Sequence, residues 1–240
     1  MDLLEDKSQG RPLSVIKDSL LRLAADPDVQ AQLPEAGLYG ERLRNALKLE
    51  DIPSIERALL SLYELLHGAG SAYSSGEKAL LQERKGYACH PGGLSPLVRA
   101  MEFVKPDSVI ADLGAGNGLQ GLLLQCLCHH RKTIQVEISS EMIRVGRIFQ
   151  RALDISANRV EWVHDDIMNA PIEAADFIYI YLPVKPIEGG KEVYDAIARK
   201  LGGIKKPIII FSVADCLSKF LDRRFSMFYT DGHLTCFAKR

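Results

Sequence analysis

The segment Val109-Ile110-Ala111-Asp112-Leu113-Gly114-Ala115-Gly116-Asn117-Gly118, followed by Leu119-Gln120-Gly121-Leu122-Leu123-Leu124, constrains this chain more than any other. A short apolar run ends at an acid, alternate glycines follow, and a second apolar run begins. The pattern predicts a buried strand, a sharp turn and a helix. Glycine has no Cβ, so it adopts backbone conformations closed to other residues and lets a ligand approach the main chain. A strand, glycine turn and helix in succession is the usual place for a nucleotide-like ligand in an open α/β sheet. The expectation is an α/β protein with its ligand at that turn.

Two ligand chemistries compete for the turn. Gly116 to Gly121 fits the G-x-G-x-x-G pattern of dinucleotide binding, with Glu137 at about the expected interval. An NAD-dependent oxidoreductase is therefore one reading, and it requires a catalytic Tyr-x-x-x-Lys or equivalent downstream. Asp112 points the other way. A negative charge is a poor neighbour for a pyrophosphate seeking a helix N-terminus. Carboxylates favour instead a sulfonium ligand that also carries an amino group.

The wider string Asp112 to Gly118 resembles motif I of the class I S-adenosylmethionine-dependent methyltransferases, an acid, one residue, then Gly-x-Gly-x-Gly. The later strands keep the resemblance. Thr133 to Glu137 reads as a second strand ending in an acid, and the resemblance implies that Glu137 accepts hydrogen bonds from a ribose diol. Val160 to Val163 reads as a third, followed by His164-Asp165-Asp166-Ile167. There the resemblance implies that Asp166, with Asp165 as its neighbouring candidate, takes the adenine amino group. Ala175 to Pro183 covers a fourth strand and its active-site edge, and Lys206 to Val213 a fifth. Phe225 to Tyr229, the turn Asp231-Gly232 and Leu234 to Ala238 form a hairpin signal. A closing antiparallel hairpin is what this family adds to a Rossmann-like sheet. The resemblance covers residues 87–240. It implies a mostly parallel seven-strand sheet, S-adenosylmethionine as cofactor, and cofactor contacts from Asp112, Gly114, Ala115, Gly116, Asn117, Gly118, Glu137, Ile138, Asp165, Asp166 and Ile167. A relative that keeps the fold but works silently through partners stands as a further alternative.

Residues 1–86 read as a separate helical region. Pro12 to Ala25 carries Leu13, Ile16, Leu20 and Leu23 at helical spacing. Leu38 to Leu49 is a second helix, Pro53 opens a third that ends near Gly68, and Glu77 to Lys85 is a short fourth. Three roles suit such a region: a packing cap or self-association surface, a lid over the acceptor, or a partner-docking pair. Leu-rich helical faces favour the cap. The lid would depend on the segment 87–96, through Tyr87, His90 or Ser95. Ser95 is also placed to cap a helix from Pro96 through Phe103.

Composition sets modest limits. Lysine and arginine total 30 against 31 acids, so no electrostatic footprint for RNA or an anionic membrane exists at the level of the whole chain. No apolar run approaches the ~20 residues that span a bilayer. The acidic start Met1 to Asp6 lacks the basic region of a secretion signal. Five cysteines without framework spacing point to a reduced, cytoplasmic setting. Cys126, Cys128, His129 and His130 lack the C-x-x-C spacing that zinc sites prefer. They read as an apolar pair that packs and two histidines that face solvent. Cys89-His90 suggests a thiol nucleophile only if geometry supports it, and His164 reads as a solvent-exposed strand end.

The acceptor side rests on less. Methyl transfer needs a nucleophile aligned with the C–S bond and water excluded, which is chiefly proximity and orientation. Tyr181 lies where the family places acceptor-side residues, after the fourth strand, and is the candidate catalytic residue. Tyr179 shares its face by strand alternation. Tyr181-Leu182-Pro183-Val184 is neither the Asn/Asp-Pro-Pro-Tyr signature of exocyclic-amine enzymes nor the Pro-Cys pair of cytosine C5 enzymes. Glu137-Ile138 and Tyr181-Leu182 are similar to some seven-strand lysine methyltransferases. That similarity implies a protein lysine as acceptor, with a small metabolite close behind and nucleic acid disfavoured by charge.

Overall fold

A computed structural model describes residues 10–70, 73–87 and 91–239. Six helices come first: α1 Gly10–Ala25, α2 Pro27–Gln32, α3 Ala36–Leu49, α4 Ile52–His67, α5 Ser75–Glu83 and α6 Ser95–Ala100. Then follow β1 Val109–Leu113, α7 Leu119–Cys128, β2 Lys132–Glu137, α8 Ser140–Ala152, β3 Val160–His164, β4 Phe177–Tyr181, α9 Lys191–Gly203, β5 Ile208–Val213, β6 Phe225–Thr230 and β7 Leu234–Lys239. The strands form one seven-stranded sheet in the order β3-β2-β1-β4-β5-β7-β6. The first five pair in parallel, and β7 runs antiparallel to both β5 and β6. This is the Rossmann-like α/β architecture that the motif order predicts, with its antiparallel closing hairpin.

Strand order explains where a ligand can lie. From β1 the chain winds outward through β2 and β3, then returns to lay β4 on the other side of β1. The crevice beyond the carboxyl ends of β1 and β4 is the topological switch point, the usual ligand position in open sheets. Both faces of the central strands are covered, so β1 and β4 are buried along almost their whole length, whereas the edge strand β6 is largely exposed. Ile110, Phe177, Tyr179 and Phe211 join one core with α7, α8 and the N-terminal helices. Val109, Ala111, Ile178, Ile180 and Ile210 join the other core with α9.

The N-terminal helices share the first core. Ile16, Leu20 and Leu23 of α1 and Leu59, Leu62 and Leu66 of α4 belong to the same cluster as Leu122 and Leu123 of α7. Helix α7 therefore has Leu119–Gln125 buried without a break, packed between sheet and α1. Several details depart from expectation. Helix α2, capped by Asp26 through the amides of Asp28 and Val29, has no apolar periodicity to announce it. Helix α6 begins at Ser95 itself, and Leu94 takes the cap position without a side-chain bond, because Pro96 fits the first turn. His130 is buried rather than facing solvent. Its Nε2 lies 2.7 Å from Thr133 Oγ1 and 2.8 Å from Gln125 Nε2, and burial together with the nearby Arg159 charge pushes its pKa down to about 4. Cys126 and Cys128 are half-buried against the core, and His164 is exposed with one ring nitrogen 3.0 Å from the Ile138 carbonyl. Cys89 and His90 lie outside the described residues. No helix among those described is long and apolar enough to cross a membrane.

Candidate functional site

The glycine turn takes its shape from β2. Gly114, Gly116 and Gly118 all have positive φ, at 78°, 59° and 71°. At Gly118 a side chain is excluded twice, by that φ and by the Trp162 ring lying where a Cβ would stand. The turn's amides are then consumed in sequence. Gly114 and Ala115 donate to the Val136 carbonyl at 3.0 and 2.9 Å, Gly116 to Glu137 Oε2 at 2.8 Å, and Gly118 to the Ala115 carbonyl at 2.9 Å. Leu119 donates to Asn117 Oδ1 at 3.3 Å. Such a turn has few N–H groups left for a phosphate, although a helix N-terminus follows it.

Two buried carboxylates face the same space. Asp112 is the penultimate residue of β1 and is buried. Burial first and the Glu137 charge second push its pKa up to about 7. Glu137 ends β2, accepting from Gly116 and, through Oε1, from Ser139 N–H at 2.8 Å. Burial raises its pKa as well, against those bonds. Among the described residues no lysine, arginine or histidine forms an ion pair with either acid. Two close, desolvated and uncompensated acids favour a cationic guest.

A cavity of about 920 Å³, counted out to its open mouth, lies at this switch point. Asp112, Gly114, Ala115, Gly116, Glu137 and Ile138 form its floor, with Met142, Asp166 and Ile167 along the β3 side. Tyr179, Tyr181, Pro183, Val184 and Val193 line the β4 side. The N-terminal region supplies the rest: His67, Tyr73, Leu80, Leu81 and Arg84, with Tyr87 beyond them. Of these N-terminal residues only Tyr87 is expected near the ligand from the sequence. Helical spacing marks only the core face of α4 and α5, and gives no sign of what lies across from their ends.

Three of the expected cofactor residues lie elsewhere. Asn117 is buried and turned away from the cavity. Its Nδ2 donates to the carbonyls of Leu66, His67 and Ala69 at 2.8, 3.1 and 3.0 Å, pinning the glycine turn to the last turn of α4. Gly118 packs against Trp162, outside the cavity lining. Asp165 is exposed, its carboxylate accepting from Asn169 Nδ2 and the Asp166 amide, and these bonds lower its pKa. Asp166 is the acid of the pair that reaches the cavity.

At the β1–β4 end two polar atoms are buried without a hydrogen-bond partner, the Tyr179 hydroxyl and Gln120 Oε1. Gln120 Nε2 is held by the Tyr63 hydroxyl at 2.5 Å and the Gly93 carbonyl at 3.2 Å, which leaves its oxygen pointing elsewhere. Burial raises the Tyr179 pKa well above the ordinary phenol range, so it stays a donor. Gln120 was not among the expected site residues; its place in the first turn after the glycines was the available signal. Tyr181 is half-buried at the mouth, its ring edge-on to His233 with centroids 6.1 Å apart. Nearby, Lys185 Nζ lies 5.6 Å above the Tyr87 ring.

Tyr181 to Lys185 has the Tyr-x-x-x-Lys spacing that the redox reading requires. That spacing joins two side chains only on a helix. Here β4 ends at Tyr181, Leu182 has a φ of 32°, Pro183 follows, and the lysine is turned to Tyr87.

No protein-family model and no curated sequence matches the chain. Solved structures do. TrmN from Thermus thermophilus superposes with a TM-score of 0.51 at 15% identity, over 61% of this chain and 48% of its own. An RNA methyltransferase from Salinibacter ruber, solved with S-adenosyl-L-homocysteine, gives 0.49 at 18% identity, over 62% and 92%. M. jannaschii TYW2, solved with AdoMet, gives 0.44 at 14% identity, over 62% and 76%. With its seven strands ordered about this switch point, the chain has the fold of the class I S-adenosylmethionine-dependent methyltransferases.

Proposed function

We propose that this protein is an S-adenosylmethionine-dependent methyltransferase that modifies an amine, with a protein lysine as its acceptor. The observation that carries the cofactor choice is the glycine turn itself, whose amides are spent on β2 and within the turn while Asp112 and Glu137 stand buried with no cationic partner among the described residues. That electrostatics suits a sulfonium and an ammonium, and it repels a pyrophosphate. The orphaned pair beside Asp112 supports the same choice. An amino-acid tail carries one anion and one cation, and a phenol O–H and an amide oxygen are a donor for the first and an acceptor for the second. On this reading Glu137 takes the ribose, Asp166 the adenine amino group, and Ile138 and Ile167 the ring faces, all four lining the cavity.

When bound, this cofactor supplies both an activated methyl group and its leaving group. The protein's residues then have to bind, orient and keep water out. Tyr181 serves orientation: burial pushes its hydroxyl above the ordinary phenol range, so it is protonated at neutral pH and does not act as a base. An amine must shed a proton before it attacks, and a wall of Tyr87, Tyr181, Pro183 and Val184 lowers its pKa by withholding water. Lys185 over Tyr87 adds a positive charge beside that wall, which disfavours an ammonium there and so favours the neutral amine. RNA is a second acceptor class with one observation behind it: beyond Ser140, the exposed positions of α8 are Arg144, Arg147 and Arg151.

Calorimetric titration with S-adenosylmethionine, S-adenosylhomocysteine and NAD tests the cofactor. Micromolar binding of the adenosyl ligands, lost in Glu137→Ala, is expected; binding of NAD alone would refute the proposal. Mass spectrometry of cell proteins, small amines and RNA after incubation with labelled cofactor then assigns the acceptor.

A further inference from the structure

The segment Ser74–Tyr87 crosses the cavity as a strap tied to its rim in three places. At its start, Glu77 gives one carboxylate oxygen to the Ser74 amide at 2.7 Å, closing a capping box on α5. Its other oxygen takes the Ser140 amide at 2.8 Å, the first N–H of α8. At the end of α5, Arg84 Nε lies 3.4 Å from Asp166 Oδ2, at the tip of β3. Beyond it Gly86 pairs with Val184, Tyr87 N–H donates to the Pro183 carbonyl at 3.0 Å, and Lys185 N–H to the Lys85 carbonyl at 2.9 Å.

Between these ties little holds the strap down. No residue of α5 is fully buried, and Leu80 and Leu81 face the cavity instead of a packed core. Nine residues make a marginal helix on their own. An element with few buried apolar contacts opens at lower cost than the core around it. Arg84 is the most specific of the ties. Its Nε is buried yet forms no hydrogen bond, and its ion partner has one oxygen already committed, Asp166 Oδ1 accepting the Met168 amide at 2.8 Å. The second oxygen of Asp166 is the one that meets Arg84.

We propose that this strap is the gate of the cofactor site, that Glu77 and Arg84 are its latches, and that Arg84 is a positioning residue acting through Asp166. The inference rests on the cofactor reading above. Opening separates one ion pair, one carboxylate–amide bond and a short two-stranded bridge, and uncovers the adenosine end of the cavity. Closing returns the guanidinium to Asp166 and fixes the carboxylate that meets the adenine amino group. The latches therefore set how long cofactor and spent product stay bound.

Stopped-flow dissociation of S-adenosylhomocysteine, with hydrogen exchange of residues 75–87, tests this on the full chain. Arg84→Met is expected to speed dissociation roughly tenfold and to speed exchange across the strap, with Tm unchanged and with Arg84→Lys recovering part of both. In the unaltered protein, bound S-adenosylhomocysteine is expected to slow exchange in the same segment. Dissociation and strap exchange both unchanged by Arg84→Met would overturn the proposal. If the unaltered protein binds no S-adenosylhomocysteine, the cofactor reading fails; strap exchange in the ligand-free variant still decides whether Arg84 is a latch.

Discussion

Asp112 carries a conflict between stability and binding. Its carboxyl sits near pKa 7 against an ordinary 3.8, so the folded protein holds this proton more tightly than the unfolded chain. The stabilising effect is complete below pH 4 and is lost as pH rises through 7. Asp112→Asn is expected to unfold at a higher temperature than the unaltered protein at pH 8 and to match it near pH 4, in scanning calorimetry. The same group makes ligand affinity pH-dependent in the opposite sense. At pH 6 about a tenth of the sites carry the charge, so S-adenosylmethionine should bind about tenfold more weakly there than at pH 8. S-adenosylhomocysteine, without the sulfonium, should change less. Asn117 makes a second residue-scale case. Its amide faces three carbonyl oxygens, so Asn117→Asp should destabilise more than Asn117→Ala, by at least about 1 kcal/mol in urea unfolding, because it sets a carboxylate against three acceptors.

Among the elements, α8 is tightly fitted against β3 and the glycine turn. A Cβ at Gly146 would run into the Trp162 ring and come within 2.6 Å of the Asn117 carbonyl, while Trp162 Nε1 is held by Gln150 Oε1 at 2.9 Å. Gly146→Ala should cost about 2–3 kcal/mol by overpacking, measured by denaturant unfolding, despite alanine's better helix propensity. The strands were legible in the sequence because β1, β4 and β5 are short apolar runs, and β2 and β3 end at or just before acids. The glycine turn, Glu137 and Asp166 were legible because motif spacing fixes where strand ends fall. The Asn117 side chain turns away from the cavity for a physical reason. Spacing locates a backbone position, but the direction of a side chain depends on what arrives from elsewhere, here the end of α4. Gln120, Arg84 and Glu77 escaped notice likewise, since their partners are distant in sequence.

At the scale of the molecule, the helical N-terminal region and the sheet domain share one apolar core. Leu122 and Leu123 of α7 and Phe149 of α8 meet α1 and α4 through that cluster, and Asn117 adds a polar tie. One cooperative transition is therefore expected in calorimetry for the full chain. A chain reduced to 87–240 should show no cooperative transition, because it would expose a helix that is buried along most of its length. A stable, ligand-binding 87–240 fragment would show that the N-terminal helices are an accessory.

Trp162 is the only tryptophan of the chain, and its ring edge lies against both Gly118 and Gly146. The indole thus sits against the back of the turn that carries the cavity floor. Its emission belongs to one known place in the molecule, so intrinsic fluorescence follows the assembly of that turn without an attached dye. A refolding trace in which emission recovers before ligand binding would time the closing of the strap separately from the making of the floor.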